Sequence, residues 1–204
     1  MTPPLKPDWR GHTAVVVASG PSLTDEQIVH VEHANVKTIA VNSSYLKLAH
    51  PDAVYACDYL WWKTNHMKVK QNIGREKLWT QDRGAAEQFQ LGHIRWEAKD
   101  GLGKQGLRVN GNSGAGAINL AYHFGVRRIL LIGMDMKPGP NGEKHWHPDH
   151  PKPLVQAQQF EEWRKKMNVL AADLKAEGVE VVNCTPGSAL TCFPMGDLEQ
   201  ELAR

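Results

Sequence analysis

Between positions 144 and 150 the chain carries three imidazoles in the run Lys144-His-Trp-His-Pro-Asp-His150. Histidine exchanges a proton near neutral pH more readily than any other unperturbed side chain, so His145, His147 and His150 are each candidate general bases. The same three could instead ligate one zinc ion and leave its fourth position open to a reactive water. The structural alternative is a loop with one catalytic histidine and two passengers. Nine residues before Lys144 the apolar run Ile129-Leu-Leu-Ile-Gly-Met ends in Asp135. A carboxylate at the C-terminal end of a strand can hold a metal or a ribose hydroxyl, or orient another side chain. Its structural alternative is an Asx-turn that closes the strand.

The loop matches letter for letter the His-x-His-x-Asp-His signature of metallo-β-lactamase-type hydrolases. Those enzymes complete their metal sites with histidines further downstream, and His150 is the last histidine here. That hydrolase reading is therefore set aside, while a single-zinc site remains chemically open.

Two small-residue turns could receive phosphate. In Thr13-Ala-Val-Val-Val-Ala-Ser-Gly-Pro-Ser-Leu23 a β-branched run breaks at Gly20, Pro21 and Ser22 and then turns polar and helix-forming. Gly20 lets backbone approach a ligand with no Cβ in the way, and Ser22 with Asp25 reads as a capping box. Amides at that helix start can bind an anion, or the turn is an ordinary tight strand-to-helix connection. It has neither the Lys-Ser/Thr pair of a Walker A loop nor Gly-x-Gly-x-x-Gly. The second turn opens the helix-like stretch after Asn110, with Asn112, Ser113 and Gly114 at its start. A hydroxyl and amides there would face an anion at the positive end of the helix dipole; alternatively Asn112 or Ser113 only caps the helix. Asn42, in Asn42-Ser-Ser-Tyr45, offers an amide that can read a base or ribose, although Asn is also a standard turn former. The aromatics of Asp58-Tyr-Leu-Trp-Trp62 could stack on a ligand, or pack into the core as such clusters more commonly do.

The elements that must position these residues alternate from end to end. Strand-like runs fall at His12–Ala18, Lys37–Asn42, Ala53–Cys57, Lys77–Thr80, His93–Trp96, Arg128–Gly133 and Val179–Cys184. Helix-like runs fall at Asp25–Glu32, Asn112–Phe124 and Pro153–Glu177. The pattern predicts one Rossmann-like α/β domain over 1–204, with a mostly parallel sheet flanked by helices on both faces. Two stretches, Ala98–Gly111 and Met136–Lys152, resist assignment and flank the central strand-helix unit on the side where such sheets bind ligands.

Composition narrows the field. The 204 residues include 24 basic and 22 acidic side chains, for a net charge of +2, which gives no nucleic-acid footprint. No apolar run reaches membrane-spanning length and the first residues lack the apolar core of a signal peptide, so the expected compartment is the cytoplasm. Three cysteines, Cys57, Cys184 and Cys192, include no Cys-x-x-Cys pair and read as reduced thiols. Trp61, Trp62 and Trp163 suit a core or a homo-oligomer interface equally well.

The order of motifs resembles a known group. Ser19-Gly-Pro-Ser-Leu23, Ala40-Val-Asn-Ser-Ser-Tyr45, Asn112-Ser-Gly114, Leu131-Ile-Gly-Met-Asp135, a later loop histidine and Val182-Asn-Cys-Thr-Pro-Gly-Ser188 look like the collinear blocks of bacterial sialyltransferases that use CMP-sialic acid. The blocks are also similar to those of motility-accessory-factor glycosyltransferases and archaeal 6-hydroxymethylpterin pyrophosphokinases, where Gly-x-Asp and a later Gly-Lys-x-His recur. Gly133-Met-Asp135 and Gly142-Glu-Lys-His145 look similar to that pair. Departures are Ser19 where the sialyltransferases place an asparagine, Asn110 where an acceptor-side arginine is expected, Lys137 near where their phosphate-binding tyrosines occur, and a chain short of their extra lid segment.

The resemblance implies a nucleotide-activated donor, a CMP- or UDP-linked sugar, and a glycan or small-molecule acceptor. Gly20, Pro21 and Ser22 would cradle donor phosphate or ribose, Asn42 would contact the nucleotide, and Asn112, Ser113 and Gly114 would line the donor site. One of His145, His147 and His150 would deprotonate the acceptor, and Lys137 or Lys144 would stabilise the leaving phosphate. Under the pyrophosphokinase alternative, Asp135 and His145 would help hold Mg²⁺ for diphosphate transfer from ATP. A third expectation is a nucleotide-binding module without catalysis.

Overall fold

Among the described residues the β-branched runs of the sequence become seven short strands that pair throughout in parallel. In this computed structural model, which describes residues 4–148, 154 and 159–204, the strands are β1 (Thr13–Val17), β2 (Lys37–Val41), β3 (Ala53–Tyr55), β4 (Leu78–Thr80), β5 (Gly92–His93), β6 (Arg128–Ile132) and β7 (Glu180–Asn183). Their order is β5-β4-β3-β2-β1-β6-β7. Alternate residues of a strand face opposite sides, and both sides are covered. Ala14 and Val16 of β1 join one core cluster, while Val15 and Val17 join the other.

Among the described residues six α-helices supply the covering layers. α1 (Asp25–His33), α2 (Tyr59–Asn72), α3 (Arg83–Phe89) and α6 (Leu198–Leu202) bury Ile28, Trp62, Phe89 and Leu198 against one face. α4 (Ser113–His123) and α5 (Phe160–Ala176) bury Ile118, Leu120, Met167 and Leu170 against the other. The fold is thus an α/β Rossmann-like domain, and its sheet is parallel at every pairing. Among the described residues no helix is long and apolar enough to cross a membrane.

Several local expectations are corrected. α2 and α3 lie where the sequence pattern assigns no element; α2 buries just Trp61, Trp62 and Val69 along fourteen residues and has almost no amphipathic signal. The capping box of α1 is Thr24 with Gln27, not Ser22 with Asp25; the Gln27 amide donates to Thr24 Oγ1 at 3.2 Å and Thr24 N–H to Gln27 Oε1 at 3.1 Å. Ser22 is engaged instead by the carboxylate of Asp135. β5 ends at His93, and Trp96 forms only a single bridge with Leu107. The last long helix starts at Phe160; its expected proline start lies outside the described residues.

Small residues let α4 sit close to the sheet. A Cβ on Gly116 would collide with the Tyr55 ring of β3, so glycine there sets the helix-to-sheet distance. Trp61 and Trp62 are buried; Trp62 Nε1 donates to the Ala56 carbonyl at 3.0 Å within the core, whereas Trp61 packs in the same cluster and also reaches the carboxyl-end cleft.

Candidate functional site

The chain runs outward from β1 to β5 and then returns to place β6 on the other side of β1. The connection after β1 leads to α1 on one face, and the chain after β6 leads to α5 on the opposite face. Divergence of this kind opens a crevice at the carboxyl ends of the strands, where ligands bind in open α/β sheets. A cleft of about 740 Å³ lies there, within the usual range for small-molecule sites. It is lined by residues that follow β1 through β6, by the start of α4 and by Leu154, Phe160 and Trp163.

Asp135 anchors the centre. It is 6 % exposed and receives Ser22 Oγ at 2.9 Å and the Ser22 amide at 3.3 Å. Burial raises its carboxyl above the usual range, and the Ser22 hydrogen bonds hold it down in part. The carboxylate therefore ties the turn after β1 to the end of β6. It also explains Gly20: a Cβ there would run into the Asp135 carboxylate and the Gly133 carbonyl, while the Gly20 amide donates to that carbonyl at 2.8 Å.

The loop after Asp135 folds back over the same turn. Gly139 packs beside Pro21, and the Trp146 amide donates to the Ser19 carbonyl at 3.0 Å. His145 Nδ1 lies 3.1 Å from Ser19 Oγ, and His145 lines the cleft together with Lys137 and Lys144. His147 stacks on His145 with ring centroids 4.9 Å apart, and its Nδ1 lies 2.7 Å from the Pro148 carbonyl, outside the cleft lining. His150 lies outside the described residues. Among the described residues no group of three histidine, cysteine, aspartate or glutamate side chains is placed to hold a metal ion.

On the other side of the cleft, α4 presents its first turn. Asn112 caps it by accepting from the Ala115 amide at 2.9 Å, so the Ser113 and Gly114 amides remain as first-turn donors that the helix cannot satisfy. The Ser113 hydroxyl does not cap; it sits 2.9 Å from Cys57 Sγ. Burial, aided by the negative charge of Asp58, pushes the Cys57 thiol far above its ordinary value and so disfavours the thiolate that a nucleophile needs. All three cysteines are free. Asn42 follows β2 with φ of +50°, a conformation that asparagine tolerates better than most residues.

Three cleft residues carry buried polar atoms with no hydrogen-bond partner among the described residues: Asn42 Oδ1, Trp61 Nε1 and Asn112 Nδ2. Such a group costs about 1–3 kcal/mol when left unmet, so three around one cleft need a physical explanation.

Tertiary structure thus brings Gly20, Asn42, Asn112, Ser113, Gly114, Asp135, Lys137 and His145 to one cavity, with Ser22 behind Asp135 and Pro21 under the loop. Sequence reading overlooked Gln81, Asp82, Arg83, His93, Arg95 and Trp96, which line the cleft beyond β4 and β5. Their signal is positional: each follows or ends a strand at the ligand-binding edge. Comparison with protein-family models, with curated proteins and with solved structures found no match for this chain.

Proposed function

We propose that the protein is a nucleotide-dependent transferase whose leading reaction is glycosyl transfer from a pyrimidine-nucleotide-linked sugar. The observation that carries this reading is the trio of unsatisfied polar atoms around the cleft. It comprises two donors, Trp61 Nε1 and Asn112 Nδ2, and one acceptor, Asn42 Oδ1. The hydrogen-bonding edges of cytosine and uracil each offer two acceptors and one donor, whereas guanine offers one acceptor and two donors. By count, the trio fits a pyrimidine, or adenine through N1, N7 and its N6 amine, and does not fit guanine; the resemblance to enzymes that use CMP-linked donors favours the pyrimidine, and the nucleotide panel below separates the two. The first-turn amides of α4 suit the donor phosphate.

In the proposed reaction His145 takes the proton of an acceptor hydroxyl. The acceptor oxygen forms its bond to the anomeric carbon as the bond from that carbon to the phosphate oxygen breaks, and the electron pair leaves with the nucleotide. Ser113 and Gly114 amides, with Lys137 and Lys144, would stabilise the charge gathering on that phosphate. Ser19, 3.1 Å from His145 Nδ1, would orient the imidazole.

The test is thermal denaturation with CMP, CDP, UDP, GDP and ATP, first in EDTA and then with Mg²⁺. A ligand at 100 times its dissociation constant adds about 2.7 kcal/mol, or roughly 5–10 °C for a chain of this size. The expected result is a shift with CMP or UDP in EDTA, reduced in Asn42→Ala and Asn112→Ala. A shift confined to ATP with Mg²⁺ would replace this reading with diphosphate transfer, and no shift at all would remove the nucleotide premise. His145→Ala should then lower turnover while leaving nucleotide affinity nearly intact. Binding without turnover for every donor and acceptor offered would mark a module that only binds.

A further inference from the structure

The cleft continues past the edge of the sheet. Arg95 and Trp96 form its wall beyond β5, and the same two residues wall a second groove of about 660 Å³. The far side of that groove is the irregular segment 97–108 together with the C-terminal end of α5. Trp96 stands between the two cavities and is 58 % exposed.

Hydrogen bonds tie this wall together although it has little regular structure. The Leu107 amide donates to the Arg95 carbonyl at 2.8 Å and the Glu97 amide to the Leu107 carbonyl at 2.9 Å, which fixes the backbone on both sides of Trp96. Asn119, fully buried, accepts from the amides of Gly103 and Arg108 at 2.8 and 3.0 Å and donates to the Gly103 carbonyl at 2.9 Å. Asn110, also buried, exchanges two hydrogen bonds with Gly101. Holding so much irregular backbone with buried amides gives a preformed surface, which lowers the ordering cost of binding.

The charges along the groove are mostly matched. Arg108 pairs with Glu97 at 3.0 Å, Lys104 with Glu177 at 2.5 Å, and Arg95 reaches Glu97 at 4.0 Å. A groove without a strong surplus of one sign does not select an anionic chain. An exposed indole on a hydrogen-bonded backbone, beside paired guanidinium and carboxylate groups, suits a neutral chain rich in hydroxyls. Its C–H faces can stack on the ring while its hydroxyls exchange hydrogen bonds with the polar wall.

We infer that the second groove binds the acceptor as an extended, uncharged oligosaccharide, laid across Trp96 so that its end enters the first cleft. The inference rests on the glycosyl-transfer reading, but the groove can be tested without nucleotide. Linear di-, tetra- and hexasaccharides of glucose, galactose, mannose and N-acetylglucosamine are titrated calorimetrically into the full chain. At least one series should bind, with the hexasaccharide about ten-fold or more tighter than the disaccharide. Trp96→Ala should lose that gain with length and Trp96→Phe should keep most of it, each with the melting temperature of the unliganded wild type. Absence of binding by all four series, affinity independent of length, or an unchanged hexasaccharide affinity in Trp96→Ala would each overturn the proposal. Length-dependent binding in a protein that no nucleotide shifts would leave the groove standing and retire the transferase reading; nucleotide shifts without saccharide binding would retire the groove alone.

Discussion

Replacing Gly20 with alanine separates two explanations of the turn after β1. If the glycine serves only to admit a ligand, the substitution should cost affinity and leave the unliganded protein unharmed. The structure gives it a different duty, because the added methyl would occupy the position of the Asp135 carboxylate and crowd the Gly133 carbonyl. Alanine restricts the unfolded chain and on that account adds about 0.4–1 kcal/mol of stability. Against this stands overpacking, at about 1–3 kcal/mol. Displacing Asp135 from Ser22 also weakens hydrogen bonds to a charged acceptor, which contribute about 1.5–3 kcal/mol. With partial relaxation shared between the two losses, Gly20→Ala should destabilise by about 2–4 kcal/mol and lower the melting temperature by roughly 4–16 °C. Urea unfolding and calorimetry without ligand would measure this. The cost should shrink by about 1 kcal/mol or more in an Asp135→Ala background, where the colliding carboxylate is gone. A Gly20→Ala protein that melts within about a degree of wild type would refute the clamp between β1 and β6.

Further outcomes follow from the buried ionisable groups. Because burial raises the Asp135 carboxyl above the ordinary aspartate value, the native state holds the proton more tightly than the unfolded chain. Its contribution to stability is therefore complete below the unfolded pKa and is lost as pH rises through the native pKa. Asp135→Asn should gain stability relative to wild type over that interval and then hold a constant difference up to about pH 7; urea midpoints whose difference ignores pH, or runs the other way, would contradict this. Burial also pushes the Cys184 thiol up to about 12 and the Cys192 thiol up to about 11, with Cys57 higher still. Native protein at about pH 8 should react slowly with iodoacetamide and release all three thiols on unfolding, as read by mass spectrometry; rapid native labelling of Cys57 would show an activated thiol at the cleft floor.

Much of this protein is legible in one dimension. β1, β2, β6 and β7 are recognisable because a parallel strand buried on both faces must be apolar along most of its length, with no alternation of polar and apolar residues needed to mark it. The run from Ala14 to Val17 in β1 places a strand by itself, since local chemistry and burial agree there. The turns at Gly20, Asn42 and Ser113 and the carboxylate at Asp135 are legible for a related reason: each stands where a strand ends or a helix begins. Tertiary structure alone decided what those residues face. Asp135 turns to Ser22 and thereby leaves the cap of α1 to Thr24, Ser113 turns to Cys57, and of the stacked pair His145 and His147 the first lines the cleft and the second does not. The same holds for α2 and for the outer wall at Arg95 and Trp96, where weak periodicity and irregular backbone leave little local signal. Side-chain pairing of this sort depends on which strand ends become neighbours, and that is set by the return of the chain from β5 to β6 beside β1, across a separation that no local pattern encodes.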